Sequence, residues 1–438
     1  MSFRRELGPF DATMVVVGAI IGAGIFINPS IVASRLSTGG EVLAAWIAGG
    51  AVALAGAFAY AELGAVLPRV GGQYVYLREA WHPLAGFLYG WALLTTIETG
   101  AIAAVAITFA EYTLRLVGRP GVGPTPLAVA AIVVVSAVNY VGVKPGSRLL
   151  NIFVVLKVLA IGVLIAAALL LPASAPAPAE PARTIAWFPI AFGSALVPIL
   201  FAYGGWQNLN YVAEEVRDPR RNLPFSLLLG TSIVVLVYVL VNVAYLRALG
   251  ADGLAATLTP AADAAGQFLG RFGDRFVAAA IAVSTFGFLD LAVLAPTRVY
   301  YAMAADGLFP RAVARLHPRF QTPSLAIVIQ STWAIALALT GTYGDLLDSV
   351  VFADWIFFGS TVAALFVFRT RMPLASRPAG SFSTSGYPLA PALFVIVAAG
   401  VVLSVIIGSP GRAAVGALVL AAGVPVYHWF ARADHRTP

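Results

Sequence analysis

Apolar stretches long enough to cross the roughly 30 Å hydrocarbon core of a bilayer recur along almost the whole of this sequence. Twelve are read, over 11–34, 41–66, 83–115, 124–142, 148–171, 187–213, 225–248, 274–303, 323–341, 346–369, 388–408 and 412–431, and little is left for a soluble domain. Composition agrees: 60% of the 438 residues are hydrophobic and 11% charged, with a mean hydropathy of +0.88, well outside the range of a soluble globular chain. The expected class is an all-α integral membrane protein with twelve transmembrane helices. The first run is too long for a signal peptide and lacks a small-residue cleavage pattern, so it reads as a retained span.

The sequence contains no cysteine, which rules out a disulfide framework, a thiolate metal site and a cysteine nucleophile. His82, His317, His428 and His435 are scattered near loops or the tail. Neither a metal site nor a cofactor is expected. A net charge of +7 could point to an anionic partner, but its distribution reads as topology rather than nucleic-acid binding. With the N-terminus inside, the inner segments hold Arg4, Arg5, Lys144, Arg148, Arg319, Arg369 and their neighbours, and outnumber the outer basic residues by about two to one. The positive-inside rule then places both termini in the cytoplasm of a multi-pass protein of the cell's inner (plasma) membrane.

The Pro/Ala-rich stretch "LPASAPAPAEPART", Leu171 to Thr184, cannot continue a helix. It divides the chain into spans 1–5 (residues 1–171), an outer loop (172–184), spans 6–10 (185–370), and spans 11–12 with a cytoplasmic tail (371–438). Five is an odd number, so equivalent spans in the two sets run in opposite directions: an inverted repeat. The first span of each set is also interrupted by small residues, "GAIIGAGIF" in span 1 and "FAYGGWQN", Phe201 to Asn208, in span 6. Paired interruptions of this kind point to a transporter's binding site near the bilayer midplane. The blander reading, glycines that let helices approach through Gly18-x-x-x-Gly22, explains one interruption better than a matched pair.

Three stretches, "GAIIGAGIFINP", "AELGAVLPRVGGQYVYLREAW" (Ala61 to Trp81) and "FAYGGWQNLNYVAEEVRDPRRNLP" (Phe201 to Pro224), together resemble the amino acid–polyamine–organocation transporters, most closely the L-type amino acid transporter branch. The similarity continues through "RVYYAMAADGLFPRAVARLHPRFQTP", Arg298 to Pro323. It implies a leucine-transporter-like fold of two inverted five-helix repeats, with spans 1 and 6 unwound around the substrate.

Unwinding a helix in lipid strands backbone groups that cost several kcal/mol each unless replaced, and an amino acid can replace them. Its carboxylate suits free amides at the start of the second half of span 1, Gly22, Ala23, Gly24 and Ile25, where the helix dipole favours an anion. Its ammonium suits free carbonyls, which the resemblance places at Ile20, Phe201, Ala202 and Gly204. The resemblance also makes Phe201 the aromatic that closes over the substrate, with Trp206 and Asn208 nearby; lipid-facing or core packing is the alternative for each aromatic. Ala23 replaces a serine common in the branch, and Gln207-Asn208 departs from its usual order.

Lys157 lies about ten residues into span 5, far enough from the span's start that a functional partner is expected rather than snorkelling. In the resembling family a lysine here stands where sodium-driven relatives bind a cation, which implies sodium independence. Asp290 of span 8 stands where the branch has asparagine, and Ala292 where it has serine; an Asp290–Lys157 pair is the expectation. Glu98 of span 3 can bind a cationic substrate, carry a proton or bond to a neighbouring helix. Glu214, Glu215, Arg217, Arg220 and Arg221 read as a salt-linked gate or anchor at the cytoplasmic end of span 6.

The function expected is secondary transport of neutral α-amino acids by sodium-independent exchange. Proton-coupled transport of amino acids or polyamines is the rival within the class, and a channel or amino-acid sensor the rival outside it. No constellation for an enzyme is found, and no nucleotide-binding Gly-rich Lys motif. Partners are the substrate and the bilayer. A disulfide-linked heavy chain is excluded by the missing cysteine, leaving a monomer or non-covalent dimer.

Overall fold

The structure, a computed structural model, describes residues 3–119, 121–172, 188–340, 343–373, 377 and 381–434. Most of the expected outer loop at 172–184, and His435, lie outside the described residues. The elements are α1 (Pro9–Ile20), α2 (Gly24–Arg35), α3 (Gly39–Val66), α4 (Gln73–Ala80), α5 (Pro83–Leu116), α6 (Thr125–Val141), α7 (Val143–Leu170), α8 (Phe188–Tyr203) and α9 (Asn208–Tyr211). They continue with α10 (Pro219–Ala256), α11 (Pro260–Leu269), α12 (Gly273–Leu294), α13 (Thr297–Ala305), α14 (Ser324–Thr340), α15 (Tyr343–Arg371), α16 (Leu389–Gly408) and α17 (Pro410–Asp434). Among the described residues there is no strand, only an isolated parallel bridge between Leu7 and Val216.

Among the described residues nine helical stretches are long and apolar enough to cross a membrane, and α1 with α2, bent by 43° at their junction, makes a tenth. Two further apolar helices, α6 and α14, have 17 residues each. The chain is a multi-pass membrane protein. The fragment α4 falls outside the twelve expected runs because its eight residues are too few to span. The eighth expected span is two helices, α12 and α13, divided just before Thr297 by Pro296, which has no N–H to continue the ladder.

Lipid offers no hydrophobic drive for helices to associate, so close van der Waals approach has to supply it. α3 lies against α8 and α10 through Gly49 and Gly50: a methyl group on Gly49 would stand 2.4 Å from Ile199 Cγ2, and one on Gly50 2.7 Å from Val235 Cγ1. Beside this seam Trp46, Tyr203 and Tyr238 form a buried aromatic cluster with centroids 5.0–5.8 Å apart. The start of α3 is closed by a reciprocal cap, with the Glu41 amide on Thr38 Oγ1 at 3.2 Å and the Thr38 amide on Glu41 Oε2 at 3.3 Å.

On the face where the chain begins, its first residues run alongside the segment that follows α9. The Leu7 amide donates to the Glu215 carbonyl at 3.0 Å and the Arg217 amide to the Leu7 carbonyl at 2.9 Å. Glu215 is buried and accepts from Arg298 Nε at 2.7 Å and Nη2 at 3.3 Å. Burial raises the Glu215 carboxyl above its ordinary value, and the Arg298 guanidinium works against that rise. The arginine that engages Glu215 is therefore Arg298 of α13. Of those expected from the sequence, Arg217 donates to the Arg5 carbonyl at 3.3 Å, while Glu214 accepts from the Val70 amide at 3.1 Å.

Candidate functional site

Glycine-rich sequence breaks both helices where the sequence expected. Between α1 and α2 the helix is interrupted over Ile21, Gly22 and Ala23, with Ile21 at ψ 89° and Ala23 already back in helical dihedrals as the N-cap of α2; between α8 and α9 it is interrupted at Gly204 and Gly205. The two breaks touch. Gly205 has φ +124°, and a Cβ there would lie 2.4 Å from the Ala19 carbonyl oxygen and 3.1 Å from the Ile20 nitrogen. Only glycine serves, because the approach leaves no room for a side chain and the dihedral disfavours one. One turn away, a Cβ on Gly24 would stand 3.2 Å from the Ala202 Cβ.

Each proline in these helices removes the N–H that would bond the carbonyl four residues earlier, and a distant side chain takes its place. Pro198 strands Ser194 O, which accepts from Arg35 Nη1. Pro29 strands Ile25 O, which accepts from Tyr245 Oη at 3.4 Å. Asn28 Nδ2 donates in turn to the Pro198 carbonyl at 2.8 Å. These bonds tie α2 to α8 and α10.

The break in the first span frees the carbonyls of Gly18 and Ile21, which an intact helix would pair with the amides of Gly22 and Ile25. Lys157 Nζ, buried at mid-length in α7, donates to both, at 3.0 Å to Gly18 O and 2.5 Å to Ile21 O. Ser284 Oγ approaches Ile21 O at 3.4 Å. The amides of Ala23, Gly24 and Ile25 are left without a partner among the described residues, and no side chain caps α2. The Gly22 amide, by contrast, bonds the Ile20 carbonyl at 2.9 Å. Three free N–H groups at the positive end of a 12-residue helix form a natural seat for an anion.

Of the four carbonyls expected to be free, three are engaged. Phe201 O accepts from the Gly204 amide at 3.1 Å. Ile20 O and Ala202 O meet at one hydroxyl, Tyr238 Oη, at 3.0 and 3.2 Å. A hydroxyl has a single proton, and Ile20 O already accepts from the Gly22 amide, so it is Ala202 O that is left able to accept whenever the Tyr238 proton lies on Ile20 O. Gly204 O has no partner among the described residues. Gln207 and Asn208 fix the shape of the second break: Gln207 Oε1 accepts from the Gly205 amide and Asn208 Nδ2 donates to the Gly205 carbonyl, both at 3.0 Å.

The two aromatics expected near the site separate. Phe201 is 41% exposed at the end of α8. Trp206 is buried in an aromatic core with Tyr60, Phe358 and Phe394, at centroid distances of 5.5–6.3 Å, which is the packing alternative.

The expected Asp290–Lys157 pair is not formed. Asp290 Oδ1 accepts instead from Asn139 Nδ2 of α6 at 2.7 Å, and Oδ2 is buried without a hydrogen-bond partner among the described residues. The reason is register along α12: Ser284 is the residue that meets the first break, and Asp290 lies about 9 Å further along the axis at 1.5 Å per residue. Glu98 is buried just after a π-helical turn, Leu93–Ile97, and its amide reaches back five residues to Leu93 O. Such turns recur at functional sites. The carboxyl takes no hydrogen bond among the described residues and lies within electrostatic reach of Tyr211, Tyr300 and Asp354.

Sequence reading missed Tyr238 and Tyr245 of α10, although their spacing with Asn242 puts all three on one helix face, and all three are buried. That stripe was the available signal.

A family model described as amino acid permease matches residues 7–429. Human b(0,+)-type amino acid transporter 1 is 32% identical over 426 residues, covering 93% of this chain and 84% of that protein. Human Asc-type amino acid transporter 1 is 29% identical over 436 residues, with 98% and 82% covered. Mouse large neutral amino acids transporter small subunit 2 is 30% identical over 436 residues, with 98% and 81% covered.

Proposed function

Because the chain belongs to the amino acid permease family, we propose that it carries α-amino acids across the membrane by sodium-independent exchange through alternating access. The observation that supports this most is the trio of free amides at Ala23, Gly24 and Ile25, facing a second broken helix. The substrate carboxylate takes these amides. Its ammonium takes the Gly204 carbonyl and the Ala202 carbonyl, which the Tyr238 hydroxyl leaves open when its proton lies on Ile20 O. Both ends of the constant part of an amino acid are then read by backbone. Lys157, bound to the first break, fills with a tethered cation the place that a loose one would need.

A neutral substrate side chain is favoured because Lys157, the one charged group bonded to the breaks among the described residues, is already engaged by two carbonyls. Phe201, half-exposed beside the second break, is the side chain suited to close over it. Counting α6 and α14 as spans gives twelve, which supports two inverted sets of five, 1–171 and 185–370, and both termini in the cytoplasm of the plasma (inner) membrane. Transport of this kind needs no catalytic group.

The test is uptake of labelled amino acids by proteoliposomes preloaded with each of the twenty standard amino acids. Stimulation by internal substrate is expected, unchanged when sodium is replaced by choline. A Gly24→Val variant, whose added atoms meet Ala202 and Asn28, should insert and fold yet lose uptake by at least about tenfold. Leak with no trans-stimulation would replace this reading with a channel.

A second reading, proton-coupled transport, is favoured by Asp290 Oδ2, a buried carboxylate oxygen without a partner. An inward proton gradient should then accelerate net uptake, and Asp290→Asn should remove that acceleration. If the gradient has no effect on the parent protein, exchange stands alone.

A further inference from the structure

A cavity of about 260 Å³ lies away from both breaks, on the face where the chain begins. Three segments distant in sequence converge on it: Arg4 before α1, Lys144 in the first turn of α7, and Arg319 in the loop between α13 and α14. None of the three side chains joins an ion pair among the described residues. Glu6 is the one acid in the lining, so two positive charges stand in excess. The Arg319 guanidinium lies over the Phe320 ring, 5.5 Å from its centroid, which holds it at the rim.

A general excess of basic residues on this face follows from topology alone. Topology does not explain why three of them, from three segments, surround one concavity and have no acid of their own. The opening also has an apolar side: Val141, the last residue of α6, lines it and is 49% exposed. A cationic hollow beside exposed apolar helix suits a charged head attached to a hydrocarbon tail.

We infer that this cavity binds a phosphoryl anion, supplied by the headgroup of an anionic phospholipid or by a free phosphate, and that the bound anion fastens the N-terminal segment to the α6–α7 and α13–α14 loops. The fastening matters because Leu7, three residues from Arg4, is bonded to Glu215 and Arg217 beyond the second broken helix. An anion on Arg4 therefore steadies the segment that leads out of that helix. The binding claim goes beyond the transport reading and is tested without it.

Native mass spectrometry of the full chain in neutral detergent measures the binding of phosphatidylglycerol, phosphatidylcholine and inorganic phosphate. Phosphatidylglycerol should bind about thirtyfold more tightly than phosphatidylcholine, the weight of two net cations facing an anionic headgroup. The Arg4→Gln/Lys144→Gln/Arg319→Gln variant should bring the two lipids to near parity. An Arg220→Gln/Arg221→Gln variant, which neutralises two charges outside the cavity, should retain the preference. Hydrogen exchange over residues 3–7 should slow in the parent protein when phosphatidylglycerol is added.

Inorganic phosphate that binds alone and displaces the lipid upholds the anion site and assigns it to a soluble source; failure to displace upholds it and assigns it to lipid. Equal binding of the two lipids by the parent protein, with no binding of phosphate, overturns the inference. So does a triple variant that folds and keeps the preference. The parent comparison decides the matter should that variant not fold.

Discussion

At the scale of single residues, the junction works because polar side chains replace backbone bonds that a straight helix would have made. Lys157 and Tyr238 do this from two different helices, the first with a full charge and the second with a single shared proton. Tyr238→Phe keeps the ring in its aromatic cluster and removes only the hydroxyl. The variant should fold with a thermal midpoint lowered by the equivalent of about 1–3 kcal/mol, the cost of a buried carbonyl left without its donor; an unchanged midpoint would show that these carbonyls find other donors. Lys157 was legible in the sequence, since a lysine in mid-span demands a partner. The partner was not. Its true acceptors are carbonyls more than 130 residues earlier in the chain, invisible to any reading of side-chain charge, and the acid on α12 that looked suitable lies too far along its helix. Tyr238 was overlooked because a tyrosine in an apolar helix reads as ordinary packing until its hydroxyl is seen to end on two broken strands of backbone.

At the scale of elements, the breaks themselves were readable because glycines and prolines weaken a helix wherever they fall. The cross-supports were not, because each joins a proline-orphaned carbonyl to a side chain on a different helix. Arg35 and Pro198 allow a direct check. Arg35→Ala should destabilise the protein by about 1–3 kcal/mol, seen as a lower thermal midpoint in detergent, by orphaning Ser194 O. Pro198→Ala restores an N–H to the same carbonyl, so Arg35→Ala should cost markedly less in that background. Additive losses would show that the arginine stabilises by some other contact. Element boundaries were read within a few residues for most spans, whereas α4 went unread because it is too short to leave a periodic signal.

At the scale of the whole molecule, ties cluster on the face where the chain begins. Glu215 and Arg298 join the exit of the second broken helix to α13, and Glu62 of α3 binds Arg369 of α15 at 2.7 and 2.9 Å and Arg377 at 2.8 Å. Removing one partner of such a buried pair leaves the other charged and stranded. Glu215→Gln should therefore loosen this face: a reporter cysteine placed next to Leu7 should react with a membrane-impermeant maleimide several times faster than in the parent, and the thermal midpoint should fall, consistent with a loss of about 3–5 kcal/mol. The sequence contains no cysteine to confuse the measurement. Unchanged labelling would mean that the N-terminal segment alone keeps the face shut.

The contact of Gly205 against Ala19 and Ile20 has a mechanical consequence. Two interrupted rods that meet backbone to backbone at their breaks, one of them bent by 43°, behave as levers on a common fulcrum. A 12-residue arm is about 18 Å long, so a turn of about 10° at the elbow sweeps its far end through about 3 Å while the elbow hardly moves. In the alternating access proposed above, an amino acid seated at the fulcrum would stay in place as the two ends of the passage widen and narrow in opposition.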